Sequence, residues 1–305
     1  MKKLTFPLLL ASILLISYSF FINPAAFFND IINTLEIWLF KVYPSIFTFY
    51  ILASILVNTK LINVLIYFLR PLFKYLRFSD ENSLHLFMVS IFVGNPTSAS
   101  LVCEALKKDE ITKNQANNLL KCSSFLNPFF IISFLSTLKL KYALIVIFVH
   151  IFANFLIVFF QNKKNPPTEI KPSKLTFSLA DILTSVQNVI HLLLLISGIM
   201  VLCNIIRFSL LTVLGKIGID LEFIKIILAS IEISIGLNSI ISSGLSLFLT
   251  LFLFSLFSSF AGISIHMQVY TVIKEEGLSY KNFLIYRIIQ AAIAASLFII
   301  LWLLI

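Results

Sequence analysis

The chain has 305 residues, of which 59% are apolar and 12% charged, with 32 Phe and a formal net charge of +9. Its mean hydropathy is +1.00. A water-soluble 34.6 kDa protein needs a polar exterior that this composition does not supply. That excludes a soluble enzyme of ordinary composition, a disordered chain and a disulfide scaffold, and predicts an all-α, polytopic helical membrane protein.

The cations lie between apolar runs, in short loops, so the positive balance reads as a topology signal and not as nucleic-acid binding. Cys103, Cys122 and Cys203 are odd in number and fit no zinc or redox spacing, which makes them small apolar fillers.

Residues 4–22 are apolar and follow Lys2 and Lys3. A signal peptide is the rival reading, but the apolar run is too long for one and no clean small-residue cleavage site follows. A retained signal-anchor span with its N-terminus inside is expected. Residues 36–57 form a second span, long enough at about 1.5 Å per residue to cross a core of about 30 Å. In 61–78, Arg70, Lys74 and Arg77 make one helical face basic. This reads either as an interfacial helix on anionic headgroups or as the plain cytoplasmic end of a span.

Residues 84–93 are apolar but too short to cross, and the run from Gly94 to Ser100 then breaks the helix before a short apolar return. That order predicts a re-entrant hairpin, which a membrane tolerates only where protein or a wet cavity covers it. Thr112 and Gln115 form a capping-box signal. Spans follow at 121–138, interrupted by Asn127-Pro128, and at 140–160. Residues 162–178 make a basic linker with Pro166, Pro167 and Pro172.

In the second half, Asp181 marks a helix start and 183–206 a span. Residues 226–235 form another half-helix, which Gly236-Leu237-Asn238-Ser239 is expected to break. A short span at 244–260, a polar segment at 261–279 and a last span within 281–305 complete the chain. The total is about seven full spans and two re-entrant half-helix hairpins. The organisation is a signal-anchor at 1–30, one repeat at 31–161, the linker, and a second repeat at 179–305. Three crossings per repeat is odd, so the second copy is inverted. Paired broken segments in inverted halves point to a transporter-like site near the midplane.

Glu232 is the sharpest candidate, because it sits in an apolar run with no basic residue within six positions. It suits a hydrogen-bond acceptor for a solute, a cation ligand or a proton carrier; the alternative is a structural carboxylate with a distant partner. Asn95, Thr97, Ser98 and Ser100 line the first expected hairpin, and Ser234, Asn238, Ser239, Ser242 and Ser243 the second. Local backbone capping competes with binding at each of them. Asn127 and, in the matching segment, Ser264 stand at the interrupted spans. His266 lies there too and reads more readily as structural than as a titrating group. No catalytic motif or metal-ligand spacing is present in the sequence, so neither an enzyme nor a cofactor or metal site is expected.

At these motifs the chain resembles the YlbJ-type sporulation integral membrane proteins, which carry the nucleoside recognition or Gate domain. The matching stretches are Tyr43-Pro44-Ser45-Ile46-Phe47-Thr48-Phe49, Gly94-Asn95-Pro96-Thr97-Ser98-Ala99 and Asn127-Pro128-Phe129-Phe130. They continue with Glu232-Ile233-Ser234-Ile235-Gly236 and the run from Ser259 to Val269. Asn95 and Ser98 depart from the Tyr and second Gly usual in the first Gly-Pro motif, and Ala261 replaces one of two adjacent glycines in the last. The resemblance implies a role in spore formation at the cortex stage in the cell membrane. It also implies, by analogy with nucleoside carriers, a small polar and nucleoside-like solute. The expected partners are therefore the lipid bilayer, that solute and a coupling cation, with self-association left open. A non-transporting assembly or scaffold protein of the spore envelope is the alternative, motivated by the basic face and the basic linker.

Overall fold

The computed structural model describes residues 2–68, 75–165, 179–219 and 222–304, and all of its regular structure is helical. Arg70, Lys74 and residues 166–178 of the basic linker lie outside the described residues, as does the side chain of Asp181.

The chain opens with α1 (Lys2–Ile22), and Asn23 turns it into α2 (Pro24–Ile37). Asn23 Oδ1 accepts from the Ala26 N–H at 3.0 Å and Pro24 takes the first helical position, a pairing that starts a helix abruptly. A π-helical turn, Trp38–Val42, joins α2 to α3 (Tyr43–Asn58) without a stop. After α4 (Ile62–Phe68) come α5 (Glu81–Val93), α6 (Thr97–Lys107), α7 (Lys113–Cys122), α8 (Pro128–Leu135) and α9 (Leu140–Asn162). The second half holds α10 (Leu179–Lys216), α11 (Glu222–Ala229), α12 (Ile233–Ser242), α13 (Leu247–Phe260), α14 (Gly262–Ile273) and α15 (Tyr280–Leu304).

Five helical segments among the described residues are long and apolar enough to cross a membrane: Pro24–Asn58, Leu140–Asn162, Ile182–Lys216, Leu247–Ile273 and Tyr280–Leu304. The chain is an integral multi-pass membrane protein. The expected span at 121–138 is instead two short helices, α7 and α8, separated by non-helical backbone at 123–127. Asn127 explains the restart, since its Oδ1 accepts from the N–H groups of Phe129 and Phe130 at 2.8 and 3.4 Å. The capping box at Thr112 forms: Thr112 N–H donates to Gln115 Oε1 at 2.6 Å, and Gln115 N–H to Thr112 Oγ1 at 3.3 Å.

One break differs from expectation. The chain is interrupted at 230–232, and Gly236, Leu237, Asn238 and Ser239 lie inside α12. Gly236 is needed there for packing and not for a turn: a Cβ on it would stand 2.1 Å from the Ala229 carbonyl oxygen. Only a missing side chain lets α11 and α12 approach so closely.

Each half therefore runs long helix, broken pair, broken pair, long helix. The contacts between halves repeat in the same way. α7 packs on α15 as α13 packs on α9, and α6 packs on α14 as α12 packs on α8. α3 packs on α10 and α9 on α15, which are the two pairs such a symmetry maps onto themselves. The buried core between them is rich in Phe, including Phe87, Phe125, Phe134, Phe254, Phe283 and Phe298.

Candidate functional site

In each half, the two breaks cross and touch through backbone. In the first, Asn95 N–H donates to the Phe125 carbonyl at 2.7 Å. Gly94 has φ +68, and a Cβ on it would lie 2.5 Å from the Asn127 nitrogen. In the second, the N–H groups of Ile263 and Ser264 donate to the carbonyls of Ser230 and Ile231 at 2.7 and 2.9 Å. Gly262, with φ +57, supplies the clearance there, since a Cβ would meet Ile233 at 3.0 Å. Broken helices expose backbone groups that the helix no longer satisfies. Crossing two breaks lets each satisfy part of the other.

Glu232 N-caps α12. Its Oε2 accepts from the Ile235 N–H at 2.7 Å, and its Oε1 accepts from the Ser264 hydroxyl at 3.4 Å. The residue is fully buried, with 0% exposure. A carboxylate at a helix N-terminus complements the dipole, which explains how an acid is tolerated inside an apolar segment. The first crossing presents amides instead. Asn95 donates through Nδ2 to Ser124 Oγ and accepts from Ser98 Oγ. Asn127 Nδ2 is buried and has no hydrogen-bond partner among the described residues.

These two crossings face one small cavity, bordered by Asn95, Asn127, Glu232, Ser234 and Gln268 along with apolar residues of α3 and α10 such as Ile46 and Met200. Its volume is about 40 Å³. Four of the residues singled out in the sequence thus meet: Glu232, Ser234, Asn95 and Asn127. Three more lie just behind. Ser264 and Ser98 hold Glu232 and Asn95, and Thr97 is buried with its hydroxyl unpartnered. Asn238 does not belong to the group, because α12 continues through it and turns it to the exterior.

Sequence reasoning missed Gln268, which lies inside the matching stretch from Ser259 to Val269 and borders the cavity. It also missed a network behind the first crossing. Arg287 of α15 is fully buried and donates to the carbonyls of Lys121 and Ser124 at 2.9 and 2.7 Å, and to Gln290 Oε1. His150 Nε2 accepts from the Leu126 N–H at 2.8 Å, and its Nδ1 lies 3.0 Å from Ser259 Oγ. One imidazole therefore ties the break of the first half to the break of the second. His266 takes a structural place, 2.9 Å from the Phe260 carbonyl and 3.1 Å from Tyr280 Oη. A third polar cluster joins α2 to α10: Arg207 pairs with Asp30 at 3.2 Å, and Asn204 donates to Asp30 and to Thr34 Oγ1.

No protein-family model matches the chain, and no solved structure matches it. It is 23% identical over 327 aligned positions to a curated protein described as the sporulation integral membrane protein YlbJ of Bacillus subtilis (strain 168). The match covers 92% of this chain and 78% of that protein. The chain is a distant homologue of that protein along nearly its whole length, as the ordered motifs imply.

Proposed function

We propose that this membrane protein serves spore formation by passing a small polar solute through the cavity at the crossed breaks, as a carrier and not as an enzyme. The sporulation part rests on the homologue's description. The carrier part rests on one observation above all: a fully buried carboxylate, Glu232, borders a cavity that a buried amide donor, Asn127, also borders. A donor and an acceptor facing one space suit a solute with hydroxyl and amine groups, and a carboxylate there suits a coupling cation.

The element order supports two re-entrant hairpins. Asn82 near the start of α5 donates to the Glu110 carbonyl just beyond α6 at 2.9 Å, so the pair leaves and returns at one end of the molecule. Lys60, Lys107, Lys108, Lys163 and Lys274 stand at or just beyond helix ends on that side, which supports a cytoplasmic face there. With that assignment the N-terminus is cytoplasmic, the second hairpin enters from the opposite face, and the halves are inverted.

The cavity of about 40 Å³ holds about three waters. A nucleoside-like solute does not fit this shape, so its passage requires the crossed helices to part.

The test is a spore-forming host whose own copy is deleted and replaced by wild type or by Glu232→Gln. Gln keeps the shape and can still accept from Ile235 N–H, so the variant is expected to accumulate normally. Heat-resistant spores and cortex thickness are expected to fall to the level of the deletion. Full spore yield at equal protein level would refute the role given to Glu232.

A further inference from the structure

Toward the lysine-rich end of the helices around the Glu232 cavity lie two further cavities of about 180 and 420 Å³. Both are bordered by Glu104, Lys107 and Asn188. The remaining polar groups around them carry both signs and include Lys108, Glu110, His191 and Glu275. Together they form one vestibule whose polar groups include donors and acceptors with no dominant charge.

The same helices line the vestibule and the central cavity. On α3, Ile46 borders the cavity, Tyr50 comes one turn later and Ser54 borders the vestibule. On α10, Ile196 borders the cavity and Leu192 and Asn188 border the vestibule. On α14, Gln268 gives way to Val272. The α6 helix begins at the Asn95-Pro96 break and reaches the vestibule at Ser100 and Glu104. Spacings of three and four residues keep each series on one helix face. The 180 Å³ part of the vestibule is therefore stacked on the central cavity along one axis with the level of Tyr50 between them, and the 420 Å³ part extends alongside as far as Leu195.

At that level the helices are tied. Tyr50 is 1% exposed and borders neither space. Its hydroxyl donates to Glu104 Oε1 at 2.7 Å, and Asn188 Nδ2 donates to the same oxygen at 3.4 Å. One carboxylate oxygen thus joins α3, α6 and α10. A hydrogen bond to an ionised acceptor is among the stronger polar contacts, and a single one can bias a two-state element.

We propose that the vestibule is the cytoplasmic entry site for a small, polar, uncharged or zwitterionic solute, and that the Tyr50–Glu104–Asn188 tie is the gate between it and the Glu232 cavity. The inference rests on the carrier reading above. Opening moves the Tyr50 ring out of the axis and frees Glu104 to receive a solute donor in place of the phenol. The mixed signs around the vestibule disfavour a strongly charged anion or cation and suit a molecule that carries both or neither.

The test reads access without needing the solute. In a chain with Cys103, Cys122 and Cys203 replaced by Ala, Ser234→Cys places a thiol on the central cavity. Its reaction with a small, membrane-impermeant cationic methanethiosulfonate is followed in inside-out and right-side-out vesicles. Tyr50→Phe removes the phenol's bond and Glu104→Met removes both bonds, each with little change in side-chain volume. Both are expected to speed labelling from the cytoplasmic face by roughly tenfold or more, the shift that follows from losing one charge-assisted hydrogen bond. Tyr50→Ala should speed it further. Unchanged labelling in Tyr50→Phe and Glu104→Met, or acceleration only from the opposite face, would overturn the gate. Failure of the Glu232→Gln spore test with accelerated labelling here would remove the solute reading of Glu232 and leave the route standing.

Discussion

The two crossings use the same backbone device and complete it with opposite charges. At the first, α7 ends and leaves carbonyls open, and the Arg287 guanidinium donates to those of Lys121 and Ser124. At the second, α12 begins and leaves amides open, and the Glu232 carboxylate accepts from Ile235. A cation at a helix C-terminus and an anion at a helix N-terminus are each what the helix dipole favours. The difference lies in where the charge faces. Arg287 sits behind its crossing, against backbone and Gln290, and does not border the cavity. Glu232 sits in front of its crossing and does. The same kind of buried charge lies behind the crossing in one half and borders the cavity in the other.

That contrast can be broken deliberately. The largest effect is expected at the backbone contact itself. Gly94→Ala puts a methyl group 2.5 Å from the Asn127 nitrogen at a positive φ, and should cost more than about 4 kcal/mol, leaving no monodisperse protein in detergent. Gly198, which has open space around it, is the matched control, and Gly198→Ala should be neutral or slightly stabilising in a thermal-shift assay. Next comes Arg287→Ala, which strands the Lys121 carbonyl and Gln290 Oε1, leaves the Ser124 carbonyl with Asn154 alone, and should cost about 3 kcal/mol. Its spore phenotype should track its protein level. Asn127→Ala removes a cap and should cost about 1 kcal/mol. Glu232→Gln should cost less than that and still abolish function. A Glu232→Gln variant whose spore loss tracked its stability loss would erase the distinction between the two crossings. The smallest effect is a gain: Ala261 holds a left-handed conformation with φ +78, so Ala261→Gly should stabilise the chain by about 1 kcal/mol in the same assay.

Much of this arrangement is legible before any coordinates. The Gly94 break, the Asn127 interruption and the Ser259–Val269 stretch are all where polar residues and glycine interrupt apolar runs. Glu232 is visible because an acid in such a run is anomalous. Gly236 misleads for a physical reason. A glycine marks either a turn or a close approach, and periodicity does not distinguish them; here it is a close approach inside α12, and the break falls at Ser230–Glu232. Asn238 is carried out of the site by the same helix. Arg287 goes unread although the rule that singles out Glu232 applies to it equally, since it is a lone cation within the last apolar run. The cavity's remaining polar residue, Gln268, is hidden because an uncharged amide near a helix centre has no sequence signal of its own.

The Arg287 contact has a consequence for biosynthesis. The carbonyls of Lys121 and Ser124 receive their donor from a side chain 166 and 163 residues later in the chain. During synthesis the first half enters the bilayer long before α15 exists. Until α15 arrives, the Ser124 carbonyl has only Asn154 Nδ2 of α9 as a side-chain donor, at 3.0 Å, and the Lys121 carbonyl has only water, lipid headgroups or the translocation machinery. The last helix thus completes a seal that Asn154 and His150 of α9 begin. A chain stopped before Arg287 would keep an open polar seam within the membrane, a recognisable mark for the proteases that clear unfinished membrane proteins.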